Sequence, residues 1–574
     1  MKTALILFIA STSLLALNVN RLNGSMNLLY VDFSIPGPVL PVELARSYNS
    51  ITAVFETNGW NGAFGWGWTS LMESVITLTG DRKILLRDGF SGNTLTFASA
   101  KESPAVKARF MHDLKRAFFQ DRLGRKLSDA EVNKLSLPPS MEVRLANEPK
   151  YRADAAAQFH ITSPLPRGEV LISSEFGLQT MEYRNNYWIR KYDGLSQAYD
   201  KNGRIARQTD KNGFTLLFTY STQEKSQIVQ LQSEDRSVSI RFTWRKNRII
   251  EAVDNRNLRT AYTYDQQGNL TKVTDSTNQA FSYRYESPRH PHLITGIDYL
   301  TESTDAKKVT REMKYDENGL ITFSREKDGA ETQYSYGRSA TDPRDHFWTK
   351  YVTQFADGKT DEQIDDYTIR TEPSGTRYLY RLETKKNGKS TVTIYGLSGG
   401  KPLQIVAGGV TTDYKYFPNG MLMEKTSPSE SLKFEYDPRF NKITRLSQNG
   451  IISTFRYDKR GNVIQASNSK NESVALNYDR FGRITEMTSP NGSRLSFRYG
   501  NQGKPILIDE KGVGTIRIAY DPTGRIVSTQ TLLPKIAGHA SAQKTPQEII
   551  RAVMSGFQNL LNIIRPAGVP LPMG

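Results

Sequence analysis

The stretch "YDRFGRITEMTSPNGSRLSFRYG" (478–500) opens on Tyr478-Asp479, sets Gly482 four residues after the tyrosine, and closes on Tyr499 with Gly500 beside it. Its two ends are alike and lie 21 residues apart. The string Tyr-Asp-x-x-Gly recurs at Tyr199-Asp200-Gly203, Tyr264-Asp265-Gly268, Tyr315-Asp316-Gly319, Tyr457-Asp458-Gly461 and Tyr520-Asp521-Gly524. Tyrosines 395, 416, 436, 457, 478, 499 and 520 follow one another at steps of 21, 20, 21, 21, 21 and 21 residues. Self-similarity at a fixed period fixes the architecture before any single motif does.

Inside one period, apolar and polar residues alternate before each tyrosine. Leu495, Phe497 and Tyr499 stand against Arg494, Ser496 and Arg498, and Leu432, Phe434, Tyr436 and Ile516, Ile518, Tyr520 repeat the pattern. A period of two makes a strand with one buried face. Pro490-Asn491-Gly492, Lys211-Asn212-Gly213 and Gln448-Asn449-Gly450 are reversal signals, because Asn and Gly adopt positive φ and side-chain oxygens cap local N–H groups. Each period therefore holds two strands and two turns. The fold class is all-β, a ribbon of repeated antiparallel hairpins.

This gives the motif residues structural roles. The tyrosine ends a strand with its ring on the apolar face, the aspartate accepts backbone N–H groups in the turn, and the glycine takes positive φ. Departures fit an architectural repeat: Phe417 follows Tyr416, Gly500 follows Tyr499, and Phe440 stands where the glycine after Tyr436 would be.

The repeats resemble the bacterial RHS (rearrangement hotspot) or YD-repeat family, distantly related to the repeat region of animal teneurins. Two further segments resemble the amino-terminal domain of that family: "VDFSIPGPVLPVELARSYNS" (31–50) and "GAFGWGWTS" (62–70). The resemblance implies a spiralling β-sheet that closes into a shell or barrel, which in many members encloses a carboxy-terminal toxin. Toxin-bearing relatives carry a self-cleaving Asp-Pro-x-Gly-Leu segment after the repeats. Here Asp521-Pro522-Thr523-Gly524 precedes Arg525 and keeps the ordinary repeat register, so no protease is carried over to it.

Two segments break the β rhythm. Between 101 and 160, Ser103-Pro104 and Ser128-Asp129-Ala130-Glu131 are helix starts, and the region is the most basic in the chain, with Lys107, Arg109, Lys115, Arg116, Arg122, Arg125 and Lys126. A pair of inserted helices with a solvated outer face is the reading favoured over a polyanion site. In the tail 531–574, Thr545-Pro546-Gln547-Glu548 begins a helix over 546–565. Ile549, Ile550, Val553, Met554, Phe557, Leu560, Leu561 and Ile564 recur along it at helical spacing. It reads as a plug for the end of the ribbon, with a docking helix for a partner or a membrane surface as the other reading.

The organisation follows: a signal peptide over 1–17, where Lys2 precedes the apolar run 4–17; an amino-terminal β domain over 18–100; the helical insertion; repeats over 165–530, with weak register at 337–394; and the tail. The chain has 574 residues, no cysteine, and an excess of 76 Lys+Arg over 59 Asp+Glu. Absence of cysteine excludes disulfides, zinc-thiolate sites and thiol catalysis. The charge leaves an anionic partner open, but it is spread along the chain and does not point to nucleic acid.

Three clusters invite a chemical reading: His290 with His292 as a metal pair, Asp342, Asp345 and His346 as an acid–base set, and Asp361, Glu362, Asp365 and Asp366 as a Ca²⁺ or paired-carboxylate loop. None has the spacing of a recognised site. Trp60, Trp66, Trp68 and Trp188 are candidates for stacking on sugars, though strand spacing assigns most of them to the core. No catalytic residue, metal or cofactor is assigned. The expectation is an exported, non-enzymatic shell protein, a scaffold for an effector or toxin partner. A cell-surface adhesin binding glycans and a polymorphic toxin with a reduced carboxy-terminal part are the alternatives.

Overall fold

The computed structural model describes residues 18–35, 42–54, 60–79, 83–89, 92–99, 104–161, 168–173, 178–192, 194–224, 227–276, 278–300, 309–372, 377–397, 400–490, 492–521, 525–532 and 545–564. The segment 1–17, read above as a signal peptide, the Pro-x-Gly part of Asp521–Gly524 and the last ten residues lie outside these.

Alternating sequence becomes one antiparallel sheet of 36 strands, running in chain order from Val75–Leu78 to Ile526–Leu532. Each Tyr-Asp turn is built alike. The tyrosine sits at a register shift: Arg456 pairs with Gln465 but Tyr457 pairs with Val463, so Ile464 is skipped. The same bulge falls at Tyr199, Tyr264, Tyr315, Tyr478, Tyr499 and Tyr520. Such bulges bend and twist a strand, and one per repeat curls the ribbon. In the turn, Asp479 Oδ1 accepts the N–H groups of Phe481 (2.9 Å) and Arg483 (3.0 Å). Asp200, Asp316 and Asp458 each accept a corresponding pair of N–H groups, and Asp265 and Asp521 accept from Asn269 and Arg525. Gly482 closes the turn at φ 77°. At Tyr436, where Phe440 replaces the glycine, the turn is one residue longer and Asn441 takes φ 55°.

The tyrosine hydroxyl adds a bond between repeats. Tyr478 donates to the carbonyl of Val463 (2.6 Å), Tyr499 to Ile484 (2.7 Å) and Tyr520 to Pro505 (2.9 Å). Tyr264, Tyr315 and Tyr457 donate likewise to Ile249, Ile294 and Ile443, and Trp244 Nε1 donates to Ile228. Each acceptor sits opposite a bulged residue or closes the preceding turn, so consecutive hairpins are pinned rim to rim.

The curl brings distant repeats together. The turn at 210–213 rests on the Tyr-Asp turns of the late repeats: Asn462 Nδ2 donates to Asn212 Oδ1 (3.4 Å), and a Cβ on Gly482 would collide with the Asn212 side chain. Where the register weakens, the strands lengthen, Thr360–Thr371 and Arg377–Lys386 being the longest pair, and the sheet continues without interruption.

Three parts surround this sheet. Strands Asn18–Asn20, Ser25–Ile35, Val42–Asn49 and Trp68–Ser70 form a separate sheet. The 18–100 segment is thus divided, since Val75–Leu78, Ile84–Arg87 and Thr94–Ser99 join the repeat sheet. The insertion holds four helices rather than two: α1 (Pro104–Leu123), α2 (Asp129–Lys134), α3 (Pro139–Asn147) and α4 (Pro149–Gln158). Pro139 and Pro149 each occupy a first helical position, which suits a residue without an N–H and starts a new helix. They pack on their own core of Phe110, Leu114, Leu137, Met141 and Leu145. The insertion lies between Thr94–Ser99 and Val170–Ser173, which pair with each other, so it projects from a hairpin. Helix α5 (Pro546–Ile564) is capped by Thr545 and Glu548 and lies on the late repeats, with Ile549 and Val553 buried against the sheet's apolar residues.

Replacing Tyr478 by Phe keeps the ring and removes one rung, orphaning the Val463 carbonyl. Tyr478→Phe is expected to weaken the local structure by about 1–2 kcal/mol, read as faster amide hydrogen exchange confined to repeats 457–499.

Candidate functional site

The most constrained assembly of polar and aromatic groups lies where the amino-terminal domain meets the early repeats. It starts from the bulge geometry. The residue opposite the tyrosine directs its N–H away from its paired strand, and the domain supplies the acceptors. Ile205 donates to the carbonyl of Ser74 (3.3 Å), Ile249 to Ala63 (3.0 Å) and Ile321 to Gly24 (3.1 Å), while the Ile294 N–H meets the hydroxyl of Tyr48 (3.3 Å). The motif glycines leave room for this approach: a Cβ on Gly203 would strike the Ile76 carbonyl, and one on Gly319 would lie 2.6 Å from Val54.

At the centre is Arg46. Its Nε and Nη2 donate to Asp32 (2.5 and 2.8 Å), and Tyr262 of the repeats donates to the same carboxylate (2.8 Å). The guanidinium has no exposed surface and stands 4.6 Å from the Trp68 ring and 5.5–5.8 Å from Tyr262, Phe64 and Tyr30. Burial would lower the Arg46 pKa, but Asp32 together with Tyr283 and Tyr262 outweighs it and holds the group well above its ordinary value. Tyr30, Trp68 and Tyr283 interlock around the pair. Cation–π contact and a two-point carboxylate bond are strong only when both charges are satisfied.

The hairpin Asn61–Trp66 is the second contact. Gly62 O and Asn61 Oδ1 accept from Arg248, Trp66 Nε1 donates to Gln267 O (3.2 Å), and Phe64 packs on Tyr262. Glu73 holds the hairpin from inside, accepting the N–H groups of Ala63 (2.7 Å) and Ser70 (3.1 Å).

The candidate residues of the sequence fall as follows. Both histidines are buried in this junction, bound to different acceptors: His290 Nε2 faces the Glu317 carbonyl (3.1 Å), and His292 Nδ1 faces Asn269 Oδ1 (2.7 Å) beneath the stacked Trp66 ring. Asp342 and Asp345 lie in a turn, where Asp345 pairs with Arg377, and His346 Nε2 contacts Asp366 (3.0 Å). The acidic quartet lies on one strand, whose alternation splits it. Asp361 and Asp365 face Lys386 and Arg21, and Glu362 and Asp366 face Lys350 and His346. Trp60 is covered by Arg87, Trp68 is fully buried, and Trp188 packs half-buried beside Tyr183.

In the insertion, Arg109, Arg116 and Arg125 pair with Asp113, Asp129 and Glu131; Lys115 binds the Leu135 carbonyl and Arg122 lies over Phe118. Lys126 is exposed, and the Lys107 side chain is outside the described residues. Among the described repeat residues, the Tyr-Asp-Gly sets occupy the turn rims. At Asp458 burial pushes the carboxyl up, and hydrogen bonds from Asn462 and Arg460 outweigh it, leaving it below the ordinary range. That state suits a turn acceptor. Sequence reasoning missed Asp32, Arg46 and Glu73, although Arg46 stands in the "ARSYNS" motif and Ser70-x-x-Glu73 has capping-box spacing.

A hairpin-repeat sheet with a tyrosine-centred bulge recurring through its periods, most often followed by Asp, and a separate amino-terminal domain seated on it, is the architecture of a YD shell. Residues 379–524 match the family described as Teneurin YD-shell, and residues 244–280 match the RHS Repeat. The chain is an RHS/YD-repeat protein. Residues 18–97 match a domain of unknown function, DUF6531. No curated protein matches the chain.

Among solved structures it is similar to a chain of the TcdB2–TccC3–Cdc42 crystal structure (13% identity, 67% of this chain and 27% of that one, TM-score 0.37). It is also similar to a chain of the Photorhabdus luminescens Tc holotoxin pore (11%, 90% and 30%, TM-score 0.38). A third similar chain is that of TcdB2–TccC3 without its hypervariable carboxy-terminal region (11%, 90% and 30%, TM-score 0.40). The chain spans less than a third of the length of each of these.

Asp32→Asn removes the counter-charge and leaves Arg46 buried. It is expected to cost about 3–5 kcal/mol, and pairing it with Arg46→Met should recover a large part. Thermal unfolding, together with protease release of residues 18–70, reads both effects.

Proposed function

We propose that this chain is an exported, non-enzymatic scaffold whose wound repeat sheet encloses or presents an effector protein. The observation that supports this reading is that two separate pieces of the chain seat on one face of the sheet. The amino-terminal domain packs on the apolar row of Tyr262, Tyr283 and Ile297, and α5 packs on the equivalent row of Leu476, Leu495 and Ile516 in the late repeats. A face that already receives a β domain at one end and an amphipathic helix at the other works as a receptacle for protein. Membership of the RHS/YD-repeat family favours the same role. The candidate acid and histidine clusters are bound in ion pairs, turns and the domain junction, which favours architecture over catalysis for them. The leader-like segment 1–17 favours export.

The test is recovery of the full chain from the native secreted fraction under mild conditions, followed by protease treatment and mass spectrometry. The expected result is a second protein that survives protease in the assembly and becomes sensitive only after unfolding in denaturant. Recovery of the chain with no associated protein, but with retained glycan or lipopolysaccharide, would overturn the scaffold reading.

A further inference from the structure

Basic residues are spread along the chain, and the fold sorts them. Of the five acidic residues in 473–532 none is exposed, whereas Arg480, Arg494, Arg498, Lys511, Arg517 and Arg525 all are. The acids are engaged locally. Asp479 and Asp521 cap their turns, Glu486 pairs with Arg494, and Asp509 accepts the Thr515 hydroxyl. Glu510 lies on the side of α5, where a Cβ on Gly556 would meet its carboxyl.

Strand alternation gathers the cations on one face. Phe497, Ile516 and Ile518 are buried in the core that α5 joins, so Arg498 and Arg517, of opposite parity, point away from that helix. Arg498 pairs with Leu507 and Leu507 with Arg517, which sets the two arginines two strands apart, about 10 Å at ordinary strand spacing. Neither makes an ion pair among the described residues. Arg494 lies on the same face of the same strand as Arg498. Aliphatic side chains stand among these cations in water. Leu532, opposite Thr515, is 44% exposed, and Ile506 and Val527, the residues skipped at the bulges of Tyr499 and Tyr520, are 39% and 63% exposed.

We propose that this outward face of the last repeats, from Arg494 to Leu532, is a docking surface for an anionic bilayer. Uncompensated guanidinium groups suit phosphate and carboxylate headgroups, which they meet as planar, permanently charged donors. Cations alone would serve any soluble polyanion equally well. The exposed aliphatic side chains beside them have a partner only where the headgroups give way to acyl chains, because interfacial binding combines buried apolar area with attraction to anionic lipid. The amphipathic helix α5 covers the opposite face of the same strands, so membrane attachment here leaves the face that receives protein free. The inference does not rest on the effector reading.

Flotation of the full chain with phosphatidylcholine vesicles, with and without phosphatidylglycerol, tests this. The expected result is binding to the anionic vesicles alone, released by concentrated salt. Arg498→Gln combined with Arg517→Gln should lower the partition by about fivefold per arginine. Ile506→Ser combined with Val527→Ser should weaken vesicle binding while leaving retention on heparin, a soluble polyanion, unchanged. All four side chains are exposed, so thermal unfolding of both double variants should match the wild type. Equal binding to both kinds of vesicle overturns the proposal. So does anionic-vesicle binding that the arginine variant leaves unchanged, the outcome if α5 carries it. Vesicle binding indifferent to the aliphatic variant overturns it as well, since that marks a site for soluble polyanions.

Discussion

The hydrogen bond that repeat tyrosines such as Tyr264, Tyr478 and Tyr520 make to a carbonyl of the preceding hairpin is the constraint on which the rest of the structure depends. A β-bulge by itself leaves two outward-facing backbone groups at the turn rim, and such groups cost free energy when buried unpaired. The tyrosine hydroxyl satisfies the carbonyl and ties one period to the next. Its ring meanwhile fills the apolar face, and burial raises the hydroxyl pKa well above its ordinary range at Tyr264 and Tyr478. The group therefore stays a donor. Because the bond joins neighbours only, the ribbon can curl by a fixed amount per repeat without a global template.

The N–H left beside that carbonyl explains where the amino-terminal domain sits. Ser74, Ala63, Gly24 and Tyr48 meet the N–H groups of Ile205, Ile249, Ile321 and Ile294, so the domain is attached along the rim by the defect that makes the sheet curve. Glycine in the motif consequently has two functions. It supplies positive φ to the turn, and it lets another layer come within van der Waals distance, as Ile76, Val54 and Asn212 do at Gly203, Gly319 and Gly482. Asp32, held within the domain by Arg46, then ties the domain to the repeats by accepting the Tyr262 hydroxyl, and losing Arg46 would leave that buried carboxylate unpaired.

Much of this was legible in the chain itself. The 21-residue step and the two-residue alternation identify hairpins, and Asp479 and its copies are readable as turn acceptors because Asp at such positions caps local N–H groups. The acidic quartet 361–366 misleads in one dimension, since adjacent residues on a strand point to opposite faces. The pair Arg46–Asp32 is invisible for a different reason. Nothing local distinguishes a surface arginine from one enclosed by Tyr30, Phe64, Trp68 and Tyr262, two of which lie in other motifs and one in another part of the chain.

The sequence by itself determined the unit: strand, bulge-prone Tyr-Asp turn, strand, reversal, and the two helical interruptions. Those depend on backbone propensities and side chains a few residues apart. Only the tertiary structure decided how the turn at 210–213 meets the repeats near 462 and 482, and that Glu73 and Arg46 belong to a junction. These rest on contacts between distant residues, Asn462 with Asn212 at 250 positions and Tyr262 with Asp32 at 230, which no local spacing encodes.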